Sequence, residues 1–323
     1  MKRWIVGALA AVLSALVPIS ATAQGGFPDR PVRIVVPLPP GGSPDTIART
    51  LAQYLQETWK QPVVVENKTG GSQNIGADTV AKSPADGYTW LLAPDNVFVT
   101  NPYIAKATSF DPMTDLAPVT EVARILFLLV VPSSLPVNST QELITYAKAH
   151  PGELNFGSSG NGSPQRLSAE LFQLSAGIKM NHVPYKGAAP AVADLLAGRI
   201  QLWIGAANSL LPHIRDGKLK LLGVTTPKRV ASLPDAPAVA ETLPGFSVDT
   251  WLGIFVPAKT PADVVKKING EIARVLGNPE VKARLAPQGI ELGTNSPAEL
   301  EKVIHADYAK WGKVIKEADI HGE

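Results

Sequence analysis

Apolar residues recur along this chain at two spacings. Short unbroken apolar runs, the pattern of strands buried on both faces, alternate with stretches whose apolar positions lie three and four apart, the pattern of amphipathic helices. Strands are predicted over 32–38, 63–66, 88–93, 125–131, 154–156, 179–183, 200–204, 219–224 and 250–256. Helices are predicted from the Gly41-Gly42 turn to about 58, and over 74–82, 139–149, 164–175, 188–197, 209–215, 261–276, 279–285 and 297–317. Turn chemistry such as Pro84-Ala85-Asp86-Gly87 separates them.

This alternation predicts an α/β fold with mostly parallel sheets. The long runs at 125–131 and 250–256 flank a self-contained set of strands and helices. They suggest a middle domain inserted into the first: 24–123 plus 235–323 form a discontinuous domain 1, and 124–234 form domain 2. Two crossovers between the domains make a hinge with a cleft between two lobes, the type II-like architecture of a periplasmic binding protein.

The first 23 residues stand outside this pattern. Lys2 and Arg3 precede an apolar stretch from Ile5 to Ile19, and Ala21-Thr22-Ala23 supplies a small-x-small cleavage site. Residues 1–23 therefore read as a cleaved signal peptide that sends the chain to the periplasm. Of 30 Lys and Arg, the signal takes two, leaving 28 against 28 Asp and Glu. The formal charge of +2 thus becomes zero, which argues against nucleic acid as a partner. With 45% apolar residues and 18% charged, the chain is globular rather than disordered. The absence of Cys excludes a disulfide scaffold, a thiolate metal site and a Cys lipid anchor.

One local pattern occurs twice. Pro40-Gly41-Gly42-Ser43-Pro44 follows the first strand, and Gly160-Asn161-Gly162-Ser163-Pro164 follows the strand at 154–156. In each, Gly residues leave a strand, a Ser reads as helix N-cap, and a Pro takes the first helical position. Such a terminus presents backbone N–H groups and the positive end of the helix dipole, and favours an anion at the loop. One turn lies in each domain, so both can face the cleft, and Ser158-Ser159 adds hydroxyls to the second. The bland reading is that these are ordinary turns whose hydroxyls are used in capping. Neither loop carries a P-loop Lys or a complete dinucleotide fingerprint, and Ser158-Ser159 does not satisfy a nucleophile elbow. The five His residues lack metal-ligand spacing. No cofactor and no catalytic residue is predicted.

The same residues carry a family resemblance. The segments 27–37, 40–49, 63–68, 85–89, 109–112, 155–163, 182–187, 211–214, 233–237 and 251–258 match, in order, the substrate-binding proteins of tripartite tricarboxylate transporters, the Bug receptor family. The resemblance implies a two-lobed periplasmic receptor that closes on a small organic carboxylate and delivers it to membrane transporter subunits. It implies that Pro40, Gly41, Gly42 and Ser43 from one lobe, with Ser158, Ser159, Asn161, Gly162 and Ser163 from the other, hold a ligand carboxylate. Tyr185, Lys186 and Gly187 match a further loop at the cleft, although Lys186 also reads as a solvated cation.

Three positions shape the expected ligand. Arg166 stands where the family often has His; one turn into a helix it opposes the dipole and asks for an anion, which is either a ligand carboxylate or Glu170 at i+4. Gly205-Ala206 replaces an acidic or amide residue of many relatives, which disfavours an amino-acid ligand and leaves room there for a bulkier body. Asn96 and Phe98 follow the third strand; Phe98 either stacks on a ligand ring or packs in the core. Asp45 is expected to pair with Arg49 rather than meet the ligand. A di- or tricarboxylate, or an aromatic diacid such as terephthalate, is the expected ligand, bound by a monomer. Two alternatives stay open. One is an exported α/β hydrolase with Ser159 or Ser163 as nucleophile and a His converging on it. The other is a receptor that presents its ligand to a membrane sensor.

Overall fold

In the computed structural model, which describes residues 26–104, 109–160, 162–286 and 290–321, the apolar runs form eleven strands. They are β1 (Val32–Val36), β2 (Val63–Asn67), β3 (Thr89–Pro94), β4 (Leu116–Ile125), β5 (Phe127–Pro132), β6 (Asn155–Ser158), β7 (Asn181–Pro184), β8 (Trp203–Ala206), β9 (Leu219–Val224), β10 (Thr250–Pro257) and β11 (Ile290–Leu292). The helices are α1 (Ser43–Trp59), α2 (Asn74–Ala81), α3 (Asn96–Val99), α4 (Asn101–Ile104), α5 (Pro112–Asp115), α6 (Thr140–Ala149), α7 (Pro164–Ala176), α8 (Ala188–Leu196), α9 (Ala207–Arg215), α10 (Ala262–Gly277), α11 (Pro279–Leu285) and α12 (Pro297–Glu317). The proposed signal peptide lies outside the described residues.

Two groups of strands result. One sheet has the order β11-β4-β10-β3-β1-β2; the other comprises β8-β5-β9, with the pair β6-β7 beside it. A parallel bridge between Phe156 and Leu202 ties that pair to the second sheet. The chain is α/β, but its strand pairings are not mostly parallel. β1–β2, β1–β3 and β6–β7 run parallel, whereas β10 and β11 pair antiparallel with their neighbours and β5 pairs antiparallel with both β8 and β9. The cause is the crossing strands, which run against the direction set by the βα units on either side.

β4 escapes the hydrophobic pattern. Its Thr120, Glu121 and Arg124 break the apolar run, so sequence places a strand only from Ile125. In the fold, β4 pairs with β10 along its length, and its polar side is met by Asn295: Glu121 N–H donates to Asn295 Oδ1 at 2.8 Å, and Thr120 Oγ1 donates to the Asn295 carbonyl at 3.0 Å. The single residue Leu126 then separates β4 from β5 and carries the chain from one sheet to the other.

The return runs from β9 to β10, and Thr225 knits the two passages together. Its N–H and Oγ1 lie 3.1 and 3.0 Å from the Phe127 carbonyl. Oγ1 is also 2.5 Å from the Val248 carbonyl, and Val248 N–H donates to the Thr225 carbonyl at 2.9 Å. One core, including Ile34, Leu51, Trp90, Ile254 and Ile268, lies between the larger sheet, α1 and α10. A second, including Leu128, Leu195, Trp203 and Leu210, lies under α8 and α9. A third, including Phe98, Phe156, Trp251 and Phe255, draws residues from both strand groups. α12 packs on β4 and α3 and reaches α7, spanning both strand groups. Among the described residues, no helix is long and apolar enough to cross a membrane.

Candidate functional site

The two glycine turns stand at the carboxyl ends of β1 and β6, where ligands of open α/β sheets bind. They are built differently. Pro40, Gly41 and Gly42 are exposed, Gly41 has φ 91°, and α1 begins at Ser43. The N-cap is Gly42, not Ser43 as the pattern predicted, and no side chain caps the helix. Asp45 explains the shift: its carboxylate reaches back to accept the Gly41 N–H at 2.9 Å, so the turn closes one residue early. It also pairs with Arg49 at 2.9 Å, as expected, and accepts from Asn67 Nδ2 at 3.0 Å. Burial works to raise its pKa, yet Arg49, the Gly41 N–H and Asn67 hold the carboxyl below its ordinary value. Asp45 is committed to shaping the turn. The uncapped first turn of α1 keeps its N–H groups and positive dipole end for an anion.

The second turn follows the predicted pattern: Ser163 caps α7, its Oγ accepting the Arg166 N–H at 3.3 Å, with Pro164 next. That bond leaves the Ser163 hydroxyl proton free to donate. Ser159 Oγ donates to Gln165 Oε1 at 2.8 Å. Gly162 is a close-approach glycine, since a Cβ there would meet Ile104 of α4 at 2.5 Å, so this loop packs against an element of the other strand group. Asn161 lies outside the described residues.

Ser158 is fully buried, and sequence reasoning missed its partner. His182 of β7 lies with Nε2 at 2.6 Å from Ser158 Oγ, which also accepts the Gly160 N–H at 3.3 Å. The register explains the contact: β6 and β7 are parallel, with Phe156 opposite His182, and the two rings stack at 5.1 Å. Burial first, and the Arg166 cation second, lower the imidazole pKa to about 4, so His182 is neutral at physiological pH. The signal available in sequence was a His within the strand predicted at 179–183, the next strand along the chain after the turn-bearing one. The His required by the hydrolase alternative therefore falls on buried Ser158 rather than on Ser159 or Ser163, and its charged neighbour is a cation rather than an orienting carboxylate.

The other predicted residues differ in what already holds them. Arg166 has 15% of its side chain exposed, and its Nε is 3.6 Å from Glu170 Oε1. Tyr185 donates its hydroxyl to Asp194 at 2.8 Å, and burial with that bond pushes its pKa up to about 12, so its phenol is committed to α8. Its N–H donates to the Ser158 carbonyl at 2.9 Å, fixing the loop of exposed Lys186 against the second turn. Gly187 caps α8 with φ 105°. Ala206 is half-buried at the start of α9.

Two expectations are corrected. Phe98 is 1% exposed and stacks on Phe255 at 4.0 Å; its ring belongs to the core and does not face a ligand. Asn96, beside it, is also buried. Nor does Gly205 open space for a bulky ligand. A Cβ at Gly205 would lie 2.1 Å from Trp203 Nε1, because residues two apart share a strand face and the indole folds over the glycine. Among the described residues, no group of His, Asp or Glu could hold a metal ion.

Comparison with known proteins agrees with this architecture. The family described as "Tripartite tricarboxylate transporter family receptor" matches residues 47–320. The chain is similar to Rhodopseudomonas palustris Rpa4515, solved with adipate (39% identity, 92% of this chain and 100% of that one, TM-score 0.78). It is similar to the periplasmic binding protein BugD (32%, 92% and 100%, 0.74). It also resembles MatC from Rhodopseudomonas palustris, solved with malate (28%, 90% and 100%, 0.73). The chain belongs to the tripartite tricarboxylate transporter receptor family, the group that includes the Bug proteins. It is a two-lobed binding protein and not an enzyme.

Proposed function

We propose that this protein is a periplasmic receptor that captures a small dicarboxylate between its lobes and hands it to the membrane subunits of a tripartite tricarboxylate-type transporter. The observation that carries the reading is the pair of strand-end turns, one exposed and uncapped at α1 and one capped by Ser163 at α7, in a chain of this family. The adipate and malate held by Rpa4515 and MatC supply the ligand class. Within that class an aliphatic diacid is better supported than an aromatic one, because Phe98 is spent in the core and Trp203 fills the space over Gly205. The absence of an acidic group at Gly205-Ala206 argues against an amino acid.

Under this proposal residues 1–23 are removed on export, the lobes are 24–123 plus 235–323 and 124–234, and the receptor acts as a monomer. The lobes meet at the passages knitted by Thr225, which serve as the hinge. Pro40–Ser43, the 158–163 turn, Arg166 and Lys186 surround the ligand.

Thermal unfolding of the purified protein with adipate, malate, citrate, terephthalate and aspartate tests this. A bound ligand at 100 times its Kd stabilises by about 2.7 kcal/mol. An aliphatic diacid is expected to give the largest rise in Tm. A rise with aspartate alone, or with no carboxylate, overturns the reading.

A further inference from the structure

After β2 the chain enters α2 through a turn bent in the left-handed sense at four successive residues. Gly70 has φ 117° and Gly71 φ 53°, which cost a glycine little. Ser72 at 52° and Gln73 at 78° hold the same sense of backbone with side chains attached, where a Cβ is strained. The turn is pinned, not loose. Asn101 Nδ2 donates to the Ser72 carbonyl at 2.7 Å and to Asn74 Oδ1 at 2.9 Å. Gly76 abuts the end of β1, where a Cβ would stand 2.8 Å from Pro37 Cβ and 2.9 Å from the Lys68 carbonyl.

Core packing does not account for the strain, since no residue of 71–73 is buried as a whole. What the turn does is place the Gln73 carboxamide so that Oε1 is buried with no hydrogen-bond partner. A buried polar atom left unpaired is costly, and strained backbone that persists in order to hold one is characteristic of binding sites. Its position fits. The turn leaves the carboxyl end of β2, beside the Gly41–Ser43 turn after β1 and the Asn96 segment after β3, along one edge of the three parallel strands.

We propose that Gln73 is a specificity-determining ligand contact that binds the second polar group of a bifunctional carboxylate. A carboxamide offers an acceptor at one end and donors at the other, and a half-turn of its last torsion exchanges them. It therefore suits a hydroxyl or a second carboxylate, and it gains nothing from a methyl group in that place. This inference rests on the cleft being the carboxylate site.

Calorimetry with adipate, 6-hydroxyhexanoate and hexanoate, which differ only at the far end, tests it on the wild-type protein and on Gln73→Ala and Gln73→Gly. Both variants are expected to lose at least tenfold in affinity for adipate or for the hydroxy acid, with hexanoate affinity altered less than twofold. Gln73→Gly relieves the backbone strain, so its unliganded Tm is expected to equal or exceed that of wild type while binding falls. Unchanged affinity for both bifunctional acids, or a loss shared equally by hexanoate, overturns the role of Gln73 alone. A wild-type protein that binds none of the three overturns it together with the proposed function.

Discussion

His182 shows how a single side chain acquires its character from its surroundings. Its pKa of about 4 lies below the ordinary 6.5, so the folded state favours the neutral ring. The sign follows from linkage: the stability it contributes is complete above pH 6.5 and is lost as pH falls toward 4, because the unfolded chain takes up the proton first. Thermal unfolding between pH 7 and 4 should show a decline in Tm that is shallower in His182→Gln. Removing the neighbouring cation with Arg166→Met should raise the His182 pKa, read by NMR titration of its ring. Burial, the larger cause, remains in that variant, so the value stays below 6.5. A ring titrating near 6.5 in the wild type would refute the buried Ser158 contact. Neither partner was legible alone: Ser158 read as an anion ligand and His182 as one of several scattered His, and only the parallel register of β6 and β7 joins them.

At the scale of elements, much was legible. The last two helices were predicted at the observed bounds, because Pro279 and Pro297 mark their starts and Asn278 and Ser296 cap them. The two Ser-Pro helix starts looked equivalent in sequence, but only α7 uses its Ser as a cap. Ser163→Ala should therefore cost about 1 kcal/mol in chemical denaturation, whereas Ser43→Ala should leave unliganded stability within about 0.5 kcal/mol. Equal losses would show that Ser43 caps α1 after all. The difference arises from Asp45 turning back to Gly41, a contact four residues long that composition does not reveal. β4 was lost for a related reason: its Thr120 and Glu121 are met by Asn295, and its Arg124 by Glu121 on the same strand and by the distant Asp249, so a strand buried in the sheet carries a polar pattern.

Across the whole molecule, two passages join the strand groups, and polar side chains tie them together. Arg124, at the end of β4, holds Glu121 in two bonds of 2.6 and 2.7 Å and also grips Asp249, just ahead of β10. Burial opposes the Arg124 charge, and the two carboxylates outweigh it and raise its pKa. Thr225 sits between the same passages with its hydroxyl shared by the Phe127 and Val248 carbonyls. Thr225→Val keeps the shape and the backbone bonds but removes that hydroxyl. It should cost about 1–3 kcal/mol, the range for leaving a buried polar partner unsatisfied. If these passages are the hinge, the variant should also shift the balance of open and closed forms, measured by small-angle scattering with and without ligand. A variant as stable as wild type would show that Thr225 does not tie the passages together.

Sequence by itself determined what depends on near neighbours. Apolar runs placed most strands, caps and prolines placed the longer helices but not the four-residue α3, α4 and α5, and glycines marked both turns; matched segments along the chain pointed to the family. These features are short-range because a cap, a turn or a helix face is made by residues within a few positions of one another. Tertiary structure decided everything that depends on which strand lies beside which. It set β10 and β5 against their neighbours, withdrew Phe98 into the core, filled the space above Gly205 with Trp203, and brought His182 to Ser158. It also exposed the strained turn at Ser72-Gln73, whose purpose no local pattern announces. Pairing across dozens of residues is settled by the whole set of buried contacts at once, and a linear pattern carries no direct record of it.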